Sequence, residues 1–233
     1  MATYKQLKKE AYTANMEIPA HGLAIYTFGN VSAFDSQKKV FAIKPSGVPY
    51  RQLKPSDMVV VDLNNRIIEG NLRPSSDTKT HALLYRSFPD LGGIAHTHST
   101  YAVAWAQAQR SIPVMGTTHA DHLAADIPVT AVMSDDQIQK DYEEETGKQI
   151  TAVFEQLSPQ DIPMVLVACH GPFTWGSSAA KAVYNSVVLE ELARQALFTL
   201  EINPDTPSLK KTLINKHYQR KHGNNAYYGQ NKV

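Results

Sequence analysis

Short apolar runs, separated by segments with helical spacing, are the feature that most restricts the folds open to this sequence. The runs MVVVDL and MVLVAC, which begin at Met58 and Met164, have the length of a strand. They fall well short of the roughly 20 residues that a membrane span requires, so no membrane partner is expected. Their β-branched residues favour strands. The predicted strands are Lys39–Ile43, Met58–Leu63, Gly93–His98 and Met164–Ala168.

Between these runs, apolar residues recur with the period of an α-helix. The predicted helices are Thr3–Asn15, Asp77–Phe88, Thr100–Gln109, Gln137–Leu157, Ala179–Leu200 and Ser208 to about Lys221. No repeat or Pro/Ser-rich linker divides the chain, so one domain over residues 1–233 is expected. Helices interspersed among short strands predict an α/β sandwich, and the strand order stays open.

The charge balance excludes partners that are recruited by a strong overall field. Lys and Arg number 23 against 22 Asp and Glu, which gives a net charge of +1. Nucleic acid and acidic membrane surfaces are therefore not expected as partners, and an anionic ligand must be held by a local site. Cys169 is the single cysteine, and the segment MATYKQLKKE lacks the apolar run of a secretory signal. A cytoplasmic location is expected.

Histidines at the ends of two predicted strands indicate a metal site. His96 and His98 stand in the segment GGIAHTHS, and His170 directly follows the run MVLVAC. Residues i and i+2 of a strand share a face, and neighbouring strands can deliver ligands to one rim of a sheet. Three neutral imidazoles suit an ion such as Zn²⁺ and leave a coordination position open for substrate. An isolated H-x-H pair, by contrast, is more often a pair of histidines without a metal.

Three polar segments, interpreted as loops, indicate an anion site. They contain, in chain order, Gly29 and Asn30, then Lys44, Ser46 and Gly47, and then Ser75, Ser76 and Asp77. Glycine lets backbone N–H groups approach a phosphate, serine adds donors and lysine adds charge. Taken singly, Lys44–Gly47 could be only a turn and Ser75–Asp77 only a helix cap.

Eight ordered segments together resemble the L-ribulose-5-phosphate 4-epimerase family of the class II aldolase/adducin superfamily. They are GNVSAF, IKPSGV, DMVVVDL, RPSSDTKTH, LGGIAHTHS, GTTHADH, HGPFTWG and NKHYQRKHGNNAYYGQ. The resemblance covers nearly the whole chain. It implies a central, largely antiparallel β-sheet flanked by helices, and a C4 homotetramer with active sites between subunits.

The resemblance also implies roles for individual residues. The zinc ligands, for which Mn²⁺ is a possible substitute, fall on Asp77, His96, His98 and His170. The substrate-binding residues fall on Gly29, Asn30, Lys44, Ser46, Gly47, Ser75 and Ser76. Proton transfer falls on Asp121 and Tyr228, with His217 nearby. The C-terminal tail, about 206–233, would reach the active site of a neighbouring subunit. Phe28 and His122 depart from the family pattern, in which tryptophan and an aromatic residue are common.

The implied reaction converts L-ribulose 5-phosphate to D-xylulose 5-phosphate. Because the C4 hydrogen is not α to the C2 carbonyl, simple deprotonation cannot invert C4. Retro-aldol cleavage of C3–C4, rotation of the aldehyde and re-addition can do so, with the metal as a Lewis acid. A class II sugar-phosphate aldolase is the nearest alternative, although such aldolases typically have a glutamate base where this chain has Asp77. A non-catalytic protein resembling the adducin head would be expected to have lost the metal ligands.

Overall fold

The computed structural model describes residues 4–88, 90–223 and 226–229. The strands are β1 (Asn30–Asp35), β2 (Val40–Ile43), β3 (Val59–Asp62), β4 (Ile67–Glu69), β5 (Gly93–His96), β6 (Met164–Val167) and β7 (Gly171–Gly176). They form one seven-stranded sheet in the order β4-β3-β2-β1-β5-β7-β6, in which every neighbouring pair is antiparallel. The expected antiparallel α/β architecture is confirmed.

Helices cover both faces of this sheet. They are α1 (Lys5–Ala20), α2 (Thr78–Ser87), α3 (Thr100–Gln107), α4 (Thr117–Ala120), α5 (Asp135–Gln139), α6 (Tyr142–Val153), α7 (Ala179–Ile202) and α8 (Lys211–His222). In the part of the chain that the structure describes, no helix combines the length and apolar character needed to cross a bilayer.

The side-chain alternation of the strands separates two apolar clusters. In β2, Phe41 and Ile43 join the cluster that contains α2 and α6 residues, whereas Val40 and Ala42 join the cluster that contains α1. This is the period of two expected for a strand that is covered on both faces. The sheet is thus a rigid platform whose rim can hold functional side chains.

Two helix predictions were wrong in their extent. The first helix continues past Asn15, because the Asn15 side chain does not end the helix but forms hydrogen bonds with strand β1. Asn15 Nδ2 donates to Val31 O at 2.7 Å, and Val31 N donates to Asn15 Oδ1 at 2.8 Å. The helix predicted over Gln137–Leu157 is instead two helices, α5 and α6. Asp141 marks the break, since its side chain accepts the Glu144 backbone N–H and caps α6.

Three strands were not predicted, namely β1, β4 and β7. Asn30 was interpreted as a loop residue but begins β1, and the segment after His170, for which no strand was predicted, forms β7. The two strands expected to deliver the histidines, β5 and β6, are not neighbours in the sheet, because β7 lies between them. The β6–β7 turn still brings His170 to the end of β5, since His96 pairs with Phe173 at the start of β7. Strand β5 ends at His96, so His98 lies just beyond it.

Candidate metal centre and substrate pocket

Three histidines come together at one end of the sheet. One ring nitrogen from each of His96, His98 and His170 lies within 4.8 Å of the other two. His96 is at the end of β5, His98 follows in the next turn and His170 occupies the turn between β6 and β7. The structure thus places the three histidines singled out in the sequence next to one another, and His170 reaches the group through the turn between β6 and β7.

The local surroundings keep these rings neutral and fix one orientation. Burial, followed by the nearby His98 ring, lowers the pKa of His96 to about 3. Burial also lowers the pKa of His170 to about 4 and depresses that of His98. His96 Nδ1 lies 2.9 Å from Pro172 O. Since the ring is neutral, Nδ1 carries the proton it donates to that carbonyl, and His96 Nε2 keeps a free lone pair.

This donor set fits a divalent metal ion. His96 Nε2 and His98 Nε2 lie 3.0 Å apart. Two nitrogen ligands of a tetrahedral zinc ion, each about 2.0–2.1 Å from the metal, would be separated by about 3.3 Å. Three neutral imidazoles with one open side suit a catalytic rather than a structural metal site. The residues present are therefore able to bind a metal.

Asp77 lies beside this group but is not one of its three members. Asp77 Oδ2 accepts a hydrogen bond from Asn30 Nδ2 at 2.5 Å. Its negative charge acts on His98 and His170, raising the pKa of each against the larger effect of burial. Asp77 as a fourth ligand stays a prediction.

Gly29 allows the first strand to approach the metal centre closely. A Cβ at this position would lie 2.7 Å from His96 O, and the residue has a φ of +74° that disfavours other side chains. Asn30, which follows it, is buried, and its Oδ1 has no hydrogen-bond partner among the described residues. An amide oxygen in this position is available to a ligand or an ordered water.

The predicted anion-binding residues line the same pocket. The cavity has a volume of 340 Å³, and the residues that line it are Thr27, Phe28, Gly29, Asn30, Lys44, Pro45, Ser46, Gly47, Ser75, Ser76, Asp77, His96, His98 and His170. Every proposed metal and substrate residue is therefore in one cavity. Phe28, which departs from the family pattern, covers His98 with a ring separation of 5.7 Å.

Two backbone hydrogen bonds hold the lysine loop and the serine loop together. Ser46 N donates to Arg73 O at 2.9 Å, and Ser75 N donates to Lys44 O at 3.0 Å. Gly47 completes the lysine loop with a φ of +69°. The serines thus reach the pocket from a braced loop pair rather than from two independent turns.

Lys44 carries the positive charge of this pocket. It is 2% exposed, and its Nζ lies 3.4 and 3.5 Å from the carbonyl oxygens of Thr27 and Pro45 and over the face of Tyr50. Within the described residues no carboxylate pairs with it. Burial lowers the pKa of Lys44 to about 8. A buried ammonium without a counter-charge is a strong site for an anion.

Asp121 and His217 lie in a second cluster, where α8 packs on α4. His217 Nδ1 lies 2.9 Å from Asp121 Oδ1, and Arg220 donates to both carboxylate oxygens at 3.0 and 2.7 Å. Burial opposes ionisation of Asp121, but the bonds from Arg220 and His217 outweigh it and lower the pKa to about 2. This carboxylate is held charged, and it contacts the Nδ1 side of the His217 ring.

Tyr228 belongs to the same cluster of the same chain. Its backbone N–H donates to Arg220 O at 3.2 Å, and Lys221 Nζ lies 4.4 Å from the centre of its ring. Tyr228 therefore lies against the end of α8, although it is 62% exposed. His122, the other departure from the family pattern, packs near Tyr184 on the edge of this cluster. Residues 224, 225 and 230 of the matching segment NKHYQRKHGNNAYYGQ lie outside the described residues.

The two clusters are separate within one chain. None of Asp121, His217 and Tyr228 lines the cavity that contains the histidines and Lys44. The structure thus brings together the residues predicted to bind the metal and the anion, and separately those predicted to transfer protons, without joining the two groups.

Sequence reasoning missed several polar residues around the pocket. Tyr50 OH donates to Phe28 O at 2.8 Å and so braces the loop in front of Asn30. Ser32 Oγ lies 2.7 Å from both His81 Nδ1 and Tyr85 OH, behind the Asn30–Asp77 pair.

The tyrosine at the start of α6, Tyr142, was missed as well, and its hydroxyl lies 3.4 Å from His170 Nδ1. A sequence signal existed for α2, because Asp77, His81 and Tyr85 recur every four residues on one helix face. For Tyr142 no local signal was available.

The comparisons with a family model and with individual known proteins agree on the family of this chain. Residues 9–197 match the model of the class II aldolase and adducin N-terminal domain. L-ribulose-5-phosphate 4-epimerase UlaF of Salmonella paratyphi A is 50% identical over 226 residues, which cover 97% of this chain and 99% of that protein. The UlaF protein of Salmonella typhi matches equally well.

Solved structures support the fold. An L-fuculose 1-phosphate aldolase aligns with a TM-score of 0.78 at 24% identity, over 92% of this chain and 95% of the aldolase. YgbL of Klebsiella pneumoniae, described as a putative aldolase/epimerase/decarboxylase, aligns with a TM-score of 0.73 at 26% identity, over 92% of this chain and 98% of its own.

Proposed function

Because this chain belongs to the class II aldolase and adducin family and is 50% identical to L-ribulose-5-phosphate 4-epimerases within it, we propose that it interconverts L-ribulose 5-phosphate and D-xylulose 5-phosphate. The observation that carries the proposal is a single cavity with three clustered histidines and a buried Lys44 that forms no ion pair within the described part of the chain. A metal-binding set beside an anion site suits a substrate with vicinal oxygens at one end and a phosphate at the other.

One side of the cavity binds the phosphate of the substrate, and the other side binds the metal. The phosphate lies against Lys44, with Ser46, Gly47, Ser75 and Ser76 as donors from the two braced loops. His96, His98 and His170, with Asp77 beside them, hold the metal, for which we propose Zn²⁺. When bound, the metal supplies Lewis-acid polarisation of the oxygens at C2 and C3. Asn30 Oδ1 accepts a hydrogen bond from a substrate hydroxyl. Asn30 Nδ2 keeps Asp77 in place by donating to its carboxylate.

The proton-transfer residues complete the reaction. A base removes the C4 hydroxyl proton, the C3–C4 bond breaks and its electron pair moves into the C2–C3 enediolate. The aldehyde of glycolaldehyde phosphate then rotates, C3 attacks its other face, and an acid protonates the new C4 oxygen. We assign these two transfers to the Asp121–His217 pair and to Tyr228. The carboxylate of Asp121 fixes His217 through Nδ1, so that Nε2 is available to exchange a proton.

This assignment requires a site shared between subunits. Neither Asp121 nor Tyr228 lines the cavity of its own chain, so the cluster of one subunit would complete the cavity of the next. A cyclic homotetramer, in which each interface joins two different surfaces, provides that arrangement. Asp121 is then supplied to the shared site by the subunit that supplies Tyr228, and not by the subunit that supplies the metal-binding histidines.

The product distinguishes the epimerase from a class II aldolase. Purified protein would be given L-ribulose 5-phosphate, and both D-xylulose 5-phosphate and free glycolaldehyde phosphate would be quantified, with and without a chelator. We expect xylulose 5-phosphate, no accumulation of the aldehyde, and loss of activity on chelation that added Zn²⁺ reverses. Stoichiometric release of glycolaldehyde phosphate would instead identify an aldolase, and full activity after exhaustive chelation would refute the metal-dependent mechanism.

A further inference from the structure

Tyr142 lies beside the candidate metal centre but belongs to a helix and not to the sheet. It is the first residue of α6, and its hydroxyl lies 3.4 Å from His170 Nδ1, with 6.2 Å between the ring centres. The side chain is partly exposed rather than packed in either apolar cluster. Its position is therefore not explained by the core.

Contacts with α2 fix the start of α6 at this place. Lys79 forms an ion pair with Asp141, the residue that caps α6. One residue further along α2, Thr80 Oγ1 donates to Glu143 O at 2.5 Å. These two contacts flank Tyr142 on both sides in sequence. Since α2 itself begins beside the metal centre, the two helix starts are locked together next to His170.

His170 depends on such an external contact more than His96 does. It occupies a tight turn in which the preceding residue, Cys169, has a φ of +62°. The ring of His96 is held by Pro172 O, whereas the ring of His170 has Tyr142 as its hydrogen-bond partner within the described residues. A metal-binding histidine needs its second ring nitrogen fixed so that the first points at the ion.

We propose that Tyr142 is a positioning residue that holds His170 in its metal-binding orientation, through a hydrogen bond from His170 Nδ1 to the tyrosine hydroxyl. The inference rests on the metal site of the proposed function. His170 then offers Nε2 to the metal, as His96 does. Tyr142 does not contact the metal, and its effect is transmitted entirely through His170.

The test measures metal affinity rather than turnover. Metal-free protein would compete with a chromophoric chelator for Zn²⁺, which gives a dissociation constant for each variant. Tyr142→Phe, which removes only the hydroxyl, is expected to weaken binding by about 10- to 100-fold. Tyr101→Phe is the matched control, because its ring packs on Phe198, away from the cavity. It should bind Zn²⁺ like the wild type.

A double-variant cycle separates positioning from a general loss of structure. Lys79→Met removes the ion pair with Asp141 and should weaken Zn²⁺ binding on its own. If Lys79 acts through Tyr142, the same change made in the Tyr142→Phe background should have no further effect. Fully additive effects of the two changes, or wild-type affinity in Tyr142→Phe, would overturn the inference.

His98→Asn serves as the benchmark for the metal site itself. Loss of Zn²⁺ binding in His98→Asn, combined with unchanged binding in Tyr142→Phe, would reject only the positioning role. Unchanged binding in His98→Asn would show instead that the proposed metal site is wrong.

Discussion

Replacing Lys44 with methionine should make the protein more stable while weakening its binding of phosphate. Lys44 is 2% exposed, and its contacts to two carbonyl oxygens are long, at 3.4 and 3.5 Å. Burial lowers its pKa from an ordinary value of 10.5 to about 8. The folded protein thus carries a desolvated charge that no carboxylate among the described residues neutralises.

The size of this cost follows from the pKa. At about 1.4 kcal/mol per pH unit, the shift corresponds to roughly 3 kcal/mol against the protonated lysine in the folded state. Methionine has similar length and no charge, so Lys44→Met should raise the free energy of unfolding at pH 7 by up to about 3 kcal/mol. The lower pKa means that the folded wild type binds fewer protons than the unfolded chain between about pH 8 and pH 10.5. Its free energy of unfolding should therefore gain from this group as the pH rises through that window, and the variant should lack the gain.

Phosphate binding should change in the opposite direction. A bound phosphate stabilises the charged lysine, and removing one partner of a buried charge pair costs about 2–5 kcal/mol. Lys44→Met should therefore weaken the binding of inorganic phosphate at least about 30-fold. Wild-type affinity should itself fall as the pH rises above about 8, where the free site loses its proton.

Chemical denaturation at pH 7 and at pH 10, together with calorimetric titration with phosphate, measures both effects. Lys9→Met is the control, because Lys9 is exposed on α1 and its removal should alter neither quantity. A Lys44→Met protein that is less stable than the wild type in the absence of phosphate, or that binds phosphate equally well, would refute the reasoning.

The remaining predictions concern the metal and the proton-transfer residues. Tyr228→Phe and Asp121→Asn should each lower the rate of epimerisation by about 10²- to 10⁴-fold, while Zn²⁺ content measured by atomic absorption stays normal. Wild-type turnover in either variant would remove that residue from the mechanism. His98→Asn should lower metal content steeply, because a three-histidine site keeps few alternative ligands. Cys169→Ser should retain its metal, since the thiol is adjacent to His170 but outside the histidine group, and loss of metal would show that the ligand set is misassigned.

The metal centre was accessible from sequence because its residues are marked locally. His96 and His98 are two residues apart, and His170 follows an apolar run that clearly predicts a strand. The strands β1 and β7 were hidden for the opposite reason. β1 places Asn30 and Ser32 against polar side chains of α2, so its inner face is not apolar. In β7, the glycine at position 176 is typical of a turn and does not indicate a strand. The close packing of Lys181 accounts for this glycine, because a Cβ there would lie 2.6 Å from Lys181 Cγ.

The proton-transfer cluster could not be assembled from local patterns. Asp121 follows a four-residue helix, and its partners His217 and Arg220 lie 96 and 99 residues further along the chain. Nothing in their spacing encodes that contact, because it arises from the packing of α8 on α4. Only the resemblance to a family pointed to these residues, and it did not say that Asp121 and Tyr228 share one cluster.

Mixed oligomers test most directly whether the two clusters that lie apart in one chain combine between subunits. Inactive variants would be unfolded and refolded together in equal amounts, and epimerase activity would be measured in verified mixed oligomers. His98→Asn mixed with either Tyr228→Phe or Asp121→Asn should recover activity in about a quarter of the sites, where intact halves meet by chance. Asp121→Asn mixed with Tyr228→Phe should stay inactive, because every chain then carries a damaged proton-transfer cluster. Activity in that last mixture would place Asp121 with the metal centre, and inactivity of all three mixtures would contradict the shared site.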